Sequence, residues 1–126
     1  MREILRQLNS VTGMRGALVV TPDGLPIAVD LPPGTDPETA SGLGASVAGI
    51  LTGWSQQAGA GHLRLGMIDA HEARLFVSSI PWGYLIGIAE KQCPIGEARS
   101  EMRQAVEHLG VICARLAHAV QEEEAA

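Results

Sequence analysis

A chain of 126 residues, 46% of them hydrophobic, has room for one core and no second domain. Its formal net charge of −5, with nine Lys and Arg scattered against fourteen acids, argues against a phosphate-backbone binder, which carries a basic stripe; no nucleic-acid partner is expected. Two cysteines, Cys93 and Cys113, without Cys-x-x-Cys or Cys/His spacing, indicate neither a disulfide scaffold nor a zinc site.

The opening run Met-Arg-Glu-Ile-Leu-Arg-Gln-Leu alternates charged and apolar residues at helical spacing, so it reads as a short helix rather than an export signal, and a cytoplasmic location follows. Ile4, Leu5, Leu8 and Val11 form its apolar face and Gly13 stops it. Two strands, Gly16–Thr21 and Leu25–Asp30, flank Thr21-Pro-Asp-Gly24, whose Asp-Gly pair supplies the positive φ of a tight hairpin. Pro26 lacks a ladder donor, which puts the second strand at a sheet edge or the proline at the strand start. After the loop Leu31-Pro-Pro-Gly-Thr35, Thr35 or Asp36 caps a second helix with Pro37 and Glu38 in its first turn.

That second helix is the unusual segment. From Thr39 to Gly61 there is no charged side chain, although a surface helix normally turns a charged face to water. At 3.6 residues per turn, Leu43, Val47, Ile50, Leu51 and Trp54 are spaced as a core-facing stripe. Gly42, Ser46, Gly49 and Gly53 share another direction, and side chains so small permit the close approach of a second backbone. Glycines in a helix interior cost about 0.5–1 kcal/mol each against alanine, so a stripe of them implies a packing role. Ser41, Ser46, Thr52, Ser55, Gln56 and Gln57 make the segment too polar to insert in a membrane. The expected arrangement packs the helix on its own sheet and, through the small stripe, on another chain.

Ala58–Gly61 breaks the pattern, and three strands follow with connections too short for crossover helices. His62–Met67 alternates, with Leu63, Leu65 and Met67 on one face and His62, Arg64 and Gly66 on the other. Arg74–Ile80 and the nearly all-apolar Tyr84–Ala89 complete the meander, the last being a central strand covered on both faces. A long helix entered through Pro94 carries Ile95, Ala98, Met102, Val106, Leu109, Cys113, Leu116 and Val120 on its core face. Residues 121–126 are expected to fray. The predicted architecture is α+β: a five-stranded, mostly antiparallel sheet with helices on both faces, in one domain over residues 1–120.

The order of elements, the helix end Leu8-Asn-Ser-Val-Thr-Gly13, the hairpin Gly16–Ala28 and the small-residue middle helix together resemble the Roadblock/dynein-light-chain family, over nearly the whole chain. The resemblance implies a homodimer in which middle helices pack together and third strands pair edge to edge, giving one ten-stranded sheet. It also implies a Ras-like small GTPase as partner, with the protein as its regulator or scaffold. Under it the dimer interface comprises Gly42, Ser46, Gly49 and Gly53 on the helix, with His62, Arg64 and Gly66 near the strand half.

Reactive constellations are wanting. Gly42-x-Gly44 and Gly59-x-Gly61 lack the Lys-Ser/Thr ending of a P-loop and the dinucleotide fingerprint, His62, His71, His108 and His118 do not pair at ligand spacing, and Ser78-Ser79 has no nucleophile-elbow context. Cys93, before Pro94, gains at most a mild activation at a helix start. The chain is therefore read as non-catalytic and without a cofactor. The alternative is a small-molecule sensor on the same layout, with Trp54, Trp82 and Tyr84 lining a pocket.

Overall fold

A computed structural model describes residues 1–125. Helix α1 spans Arg2–Asn9 and β1 and β2 span Met14–Val20 and Pro26–Asp30. Helix α2 (Pro37–Gln57) is followed by β3 (Gly66–Asp69), β4 (Ala73–Ile80), β5 (Gly83–Glu90) and helix α3 (Ile95–Ala125). The strands form one sheet in the order β2-β1-β5-β4-β3, and all four pairings are antiparallel.

The hairpin forms as its turn residues dictate. Gly24 sits at φ 95°, the Thr21 amide donates to the Leu25 carbonyl at 2.9 Å, and the Leu25 amide returns to the Thr21 hydroxyl at 2.9 Å. Pro26 opens β2, which is an edge strand, so the missing donor costs no ladder bond. Asn9 ties the end of α1 to that edge, its Nδ2 donating to the Asp30 carbonyl at 3.0 Å and to its carboxylate at 2.9 Å.

Each face of the sheet has its own core. On one, Leu5 and Leu8 of α1 and Ala98, Met102 and Leu109 of α3 pack on Val19, Phe76 and Leu85. On the other, α2 lies on Leu18, Val20, Val77 and Ile86. Strand β5, third of the five, is covered on both sides, which explains its continuous apolar run.

Three expectations need correction. β3 starts at Gly66 rather than His62, because the chain wraps around the sheet edge first: Leu63 packs into the α2-side core and Leu65 into the α3-side core, so the two leucines do not share a face. On α3, Ile95, Leu116 and Val120 are exposed rather than core residues. A helix of 31 residues is about 46 Å long and an eight-residue strand about 27 Å, so the last turns extend past the sheet. Helical geometry runs to Ala125, and Ala126 lies outside the described residues. The third correction concerns α2.

Candidate functional site

Helix α2 starts at a sequence-encoded cap. Asp36 accepts from the Thr39 amide at 3.2 Å and from its hydroxyl at 2.5 Å, and Pro37 follows at the first helical position. Those two bonds, the hydroxyl's first, hold the Asp36 carboxyl below its ordinary range.

The side that α2 turns to the sheet is made of small residues: Ser41, Ala45 and Ala48 are all buried, with the Thr52 hydroxyl buried beside them. Close approach is the reason. A Cβ placed on Gly44 would lie 2.4 Å from Cδ1 of Ile86, so the large side chains at this layer come from the sheet and the helix must be thin to rest on them. Leu43, Ile50 and Trp54 thereby face away from the chain, 65%, 71% and 71% exposed. Of the five residues expected to form a core stripe, Leu51 packs on the α2-side core and Val47 is half-buried; the other three do not touch the core.

At about 100° per residue, Leu43, Ile50 and Trp54 lie within about 40° of one another and opposite the buried side. Gly42, Ser46, Gly49 and Gly53 run alongside them, about a quarter turn away. A Cβ added at Gly42, Gly49 or Gly53 would meet nothing within 4 Å, and the exposed Ser46 hydroxyl donates back to the Gly42 carbonyl at 3.0 Å. Gly42 also serves its own chain, since the hairpin tip at Gly24 rests against its Cα. The outward face of α2 is thus an uncharged surface with a large-residue ridge beside a small-residue groove.

The strand-side residues are divided. Gly66 opens β3, whose outer edge has no strand beside it, and its lack of a side chain admits Leu51 of α2, 3.1 Å from where a Cβ would be. His62 and Arg64 are exposed in the segment before the strand and line a cleft of about 710 Å³ on the α3 side. That cleft takes none of Trp54, Trp82 or Tyr84, the residues expected to line a sensor pocket; Trp54 is instead part of the α2 ridge.

Cys93 is buried against Gly13, and its thiol is pushed up by that burial and by the nearby Glu97 carboxylate, the reverse of activation. Among the described residues, no group of three His, Cys, Asp or Glu side chains is placed to hold a metal, and no helix is long and apolar enough to cross a membrane. Sequence reasoning missed Leu43, Ile50 and Trp54 as surface residues. The available signal was Ser41, Ala45, Ala48 and Thr52, a second small stripe at steps of four, three and four.

Comparison with known proteins places this arrangement. The chain is 27% identical over 106 residues to an uncharacterized protein of Methanocaldococcus jannaschii, covering 84% of this chain and 93% of that one. It is similar in structure to Myxococcus xanthus MglB, with a TM-score of 0.83 at 15% identity over 90% of this chain and 94% of MglB. A Roadblock/LC7 domain from Streptomyces avermitilis matches with a TM-score of 0.83 at 16% identity, over 90% of this chain and 98% of that domain. The sequence pattern of the Roadblock/LC7 domain covers residues 1–90, and the chain belongs to that family.

Proposed function

We propose that this protein is a non-catalytic homodimer that regulates or scaffolds a Ras-like small GTPase. The observation that carries the reading is the outward face of α2, where Leu43, Ile50 and Trp54 stand exposed on a helix whose residues from 39 onward carry no charge. A contiguous apolar surface of this kind is covered by a partner in proteins that stay in solution. A second copy supplies a matching surface by two-fold symmetry: the Leu43, Ile50 and Trp54 ridge of one copy seats along Gly42, Ser46, Gly49 and Gly53 of the other. The strand half of the interface is the unpaired edge of β3 from Gly66, flanked by the exposed His62 and Arg64. Burying a Leu or Ile side chain is worth about 1.5–3 kcal/mol, so these residues from two copies exceed what scattered surface contacts provide.

The GTPase role rests on the family resemblance and on the composite surface that two α2 helices create. A regulator shifts a partner between states only through a difference in affinity for them, so the dimer is expected to prefer one nucleotide state. One GTPase on two copies of this chain is the expected stoichiometry, because the composite surface spans both.

Equilibrium sedimentation tests the dimer: wild type is expected to be dimeric at micromolar concentration, and Gly49→Leu, which meets no atom of its own chain, to be monomeric. A monomeric wild type or a dimeric variant overturns it. Light scattering with a Ras-like GTPase, loaded with GDP and then with a slowly hydrolysed GTP analogue, tests the partner. Equal affinity in both states reduces the role to scaffolding, and binding or hydrolysis of GTP by this chain alone overturns the non-catalytic reading.

A further inference from the structure

Three of the chain's nine basic residues, Arg64, Arg99 and Arg103, line the cleft between α3 and the end of β4, against a single carboxylate, Glu107. In a chain of net charge −5 such a concentration is not what scattered surface charge produces. None of the ion pairs among the described residues includes any of the three arginines. Arg99 and Arg103 are four residues apart on one helix, a spacing at which like charges repel, and Glu107, one turn beyond Arg103, is the one acid on that line.

The cleft has an apolar side too. Its floor is the last part of β4, where the strand continues past its final β3 partner: Gly66 pairs with Val77, so Ser78, Ser79 and Ile80 have a strand on the β5 side alone. Ile80, Leu65, Met102 and Val106 give it hydrocarbon walls, and Ser78, on the same face of β4 as Phe76 and Ile80, adds a hydroxyl. At about 710 Å³ it falls within the size range of small-ligand sites, which combine apolar walls with a few convergent polar groups.

We infer that this cleft binds a small amphipathic anion, a phosphate monoester with a hydrocarbon body. The phosphate lies between Arg64 on one wall and Arg99 and Arg103 on the other, in charge-assisted hydrogen bonds of the kind guanidinium groups make with phosphate oxygens. The hydrocarbon lies over Ile80, Met102 and Val106. The site opens on the α3 face of the sheet, away from α2; Arg64 also flanks the β3 edge of the proposed dimer and is the residue the two share, and the site rests on neither the dimer nor the GTPase reading.

Octyl phosphate, inorganic phosphate and 1-octanol, titrated calorimetrically into the full-length protein, separate head from body. Octyl phosphate is expected to bind at one site per chain and to shift the amide resonances of Ser78 and Ser79. Inorganic phosphate and octanol are each expected to bind about tenfold more weakly or worse, because each lacks half of the recognised chemistry. Arg99→Gln with Arg103→Gln, both exposed positions, is expected to weaken octyl phosphate by about tenfold or more and to remove most of its salt dependence. Arg2→Gln with Arg6→Gln on α1 controls for general charge and is expected to change nothing. Absence of binding at millimolar octyl phosphate, equal affinity in the Arg99/Arg103 variant, shifts mapping elsewhere, or phosphate or octanol binding as tightly as octyl phosphate each overturns the inference.

Discussion

Helices α2 and α3 lie on opposite faces of one sheet and solve the packing problem in opposite ways. α3 buries large side chains, Met102 and Leu109, and turns Glu97, Arg103 and Glu107 to water. α2 buries Ser41, Ala45 and Ala48 and turns Leu43, Ile50 and Trp54 outward. The difference lies in who fills the space between helix and sheet. Under α3 the helix supplies much of the bulk; under α2 the sheet supplies it, through Leu18, Val77 and Ile86, and the helix contributes almost none. A helix whose bulk points outward leaves its largest apolar side chains in water unless, as proposed, a second chain covers them.

Truncation on α3 is the most severe way to probe this contrast. Leu109→Ala is expected to lower unfolding free energy by about 2–5 kcal/mol in urea titrations, since the site is fully buried. A loss below about 1 kcal/mol would show that α3 does not carry its face of the core as drawn.

Enlarging α2 on its sheet side should cost less but still register. Ala48→Leu forces extra carbon against a layer already filled by the sheet, for about 1–3 kcal/mol of destabilisation. A neutral or stabilising result would mean that the layer under α2 has space, contrary to the close contact at Gly44.

The outward ridge should behave as surface in the isolated chain and as core in the dimer. Ile50→Ala is expected to change the stability of the monomeric Gly49→Leu background by no more than about 0.5 kcal/mol. In the wild-type background Ile50→Asp should abolish dimerisation and with it any rise of the unfolding midpoint with protein concentration. A large Ile50→Ala effect in the monomer would erase the distinction between the two helices.

The smallest effect sharpens the comparison at the start of α2. The Asp36 carboxyl, held below the ordinary value of 3.8 by Thr39, contributes stability that is present above that value and is lost as pH falls through its lower folded-state value. The stability difference between wild type and Asp36→Ala, followed by urea unfolding, should therefore shrink on acidification below 3.8. A difference that persists unchanged in acid would mean that the charged cap contributes nothing.

Local chemistry determined the elements and their order. An Asp-Gly turn bends a hairpin wherever it stands, Asp36 and Pro37 start a helix by satisfying its first amides, and Pro26 disqualifies a central strand; each effect acts within a few residues, so each was legible. The face that α2 presents to the sheet was not legible, because periodicity shows that Leu43, Ile50 and Trp54 share a side and that Ser41, Ala45 and Ala48 share another without saying which side has the sheet beneath it. Only the bulk of Leu18, Val77 and Ile86, from strands distant in the chain, settles that. The cleft is the stronger case. The spacing of Arg99 and Arg103 is local to one helix, but Arg64 joins them, and Ser78 comes near them, only when the chain has wrapped around the edge of β4 and α3 has come back across the sheet. Such a site belongs to tertiary structure, since its residues share no segment and no period.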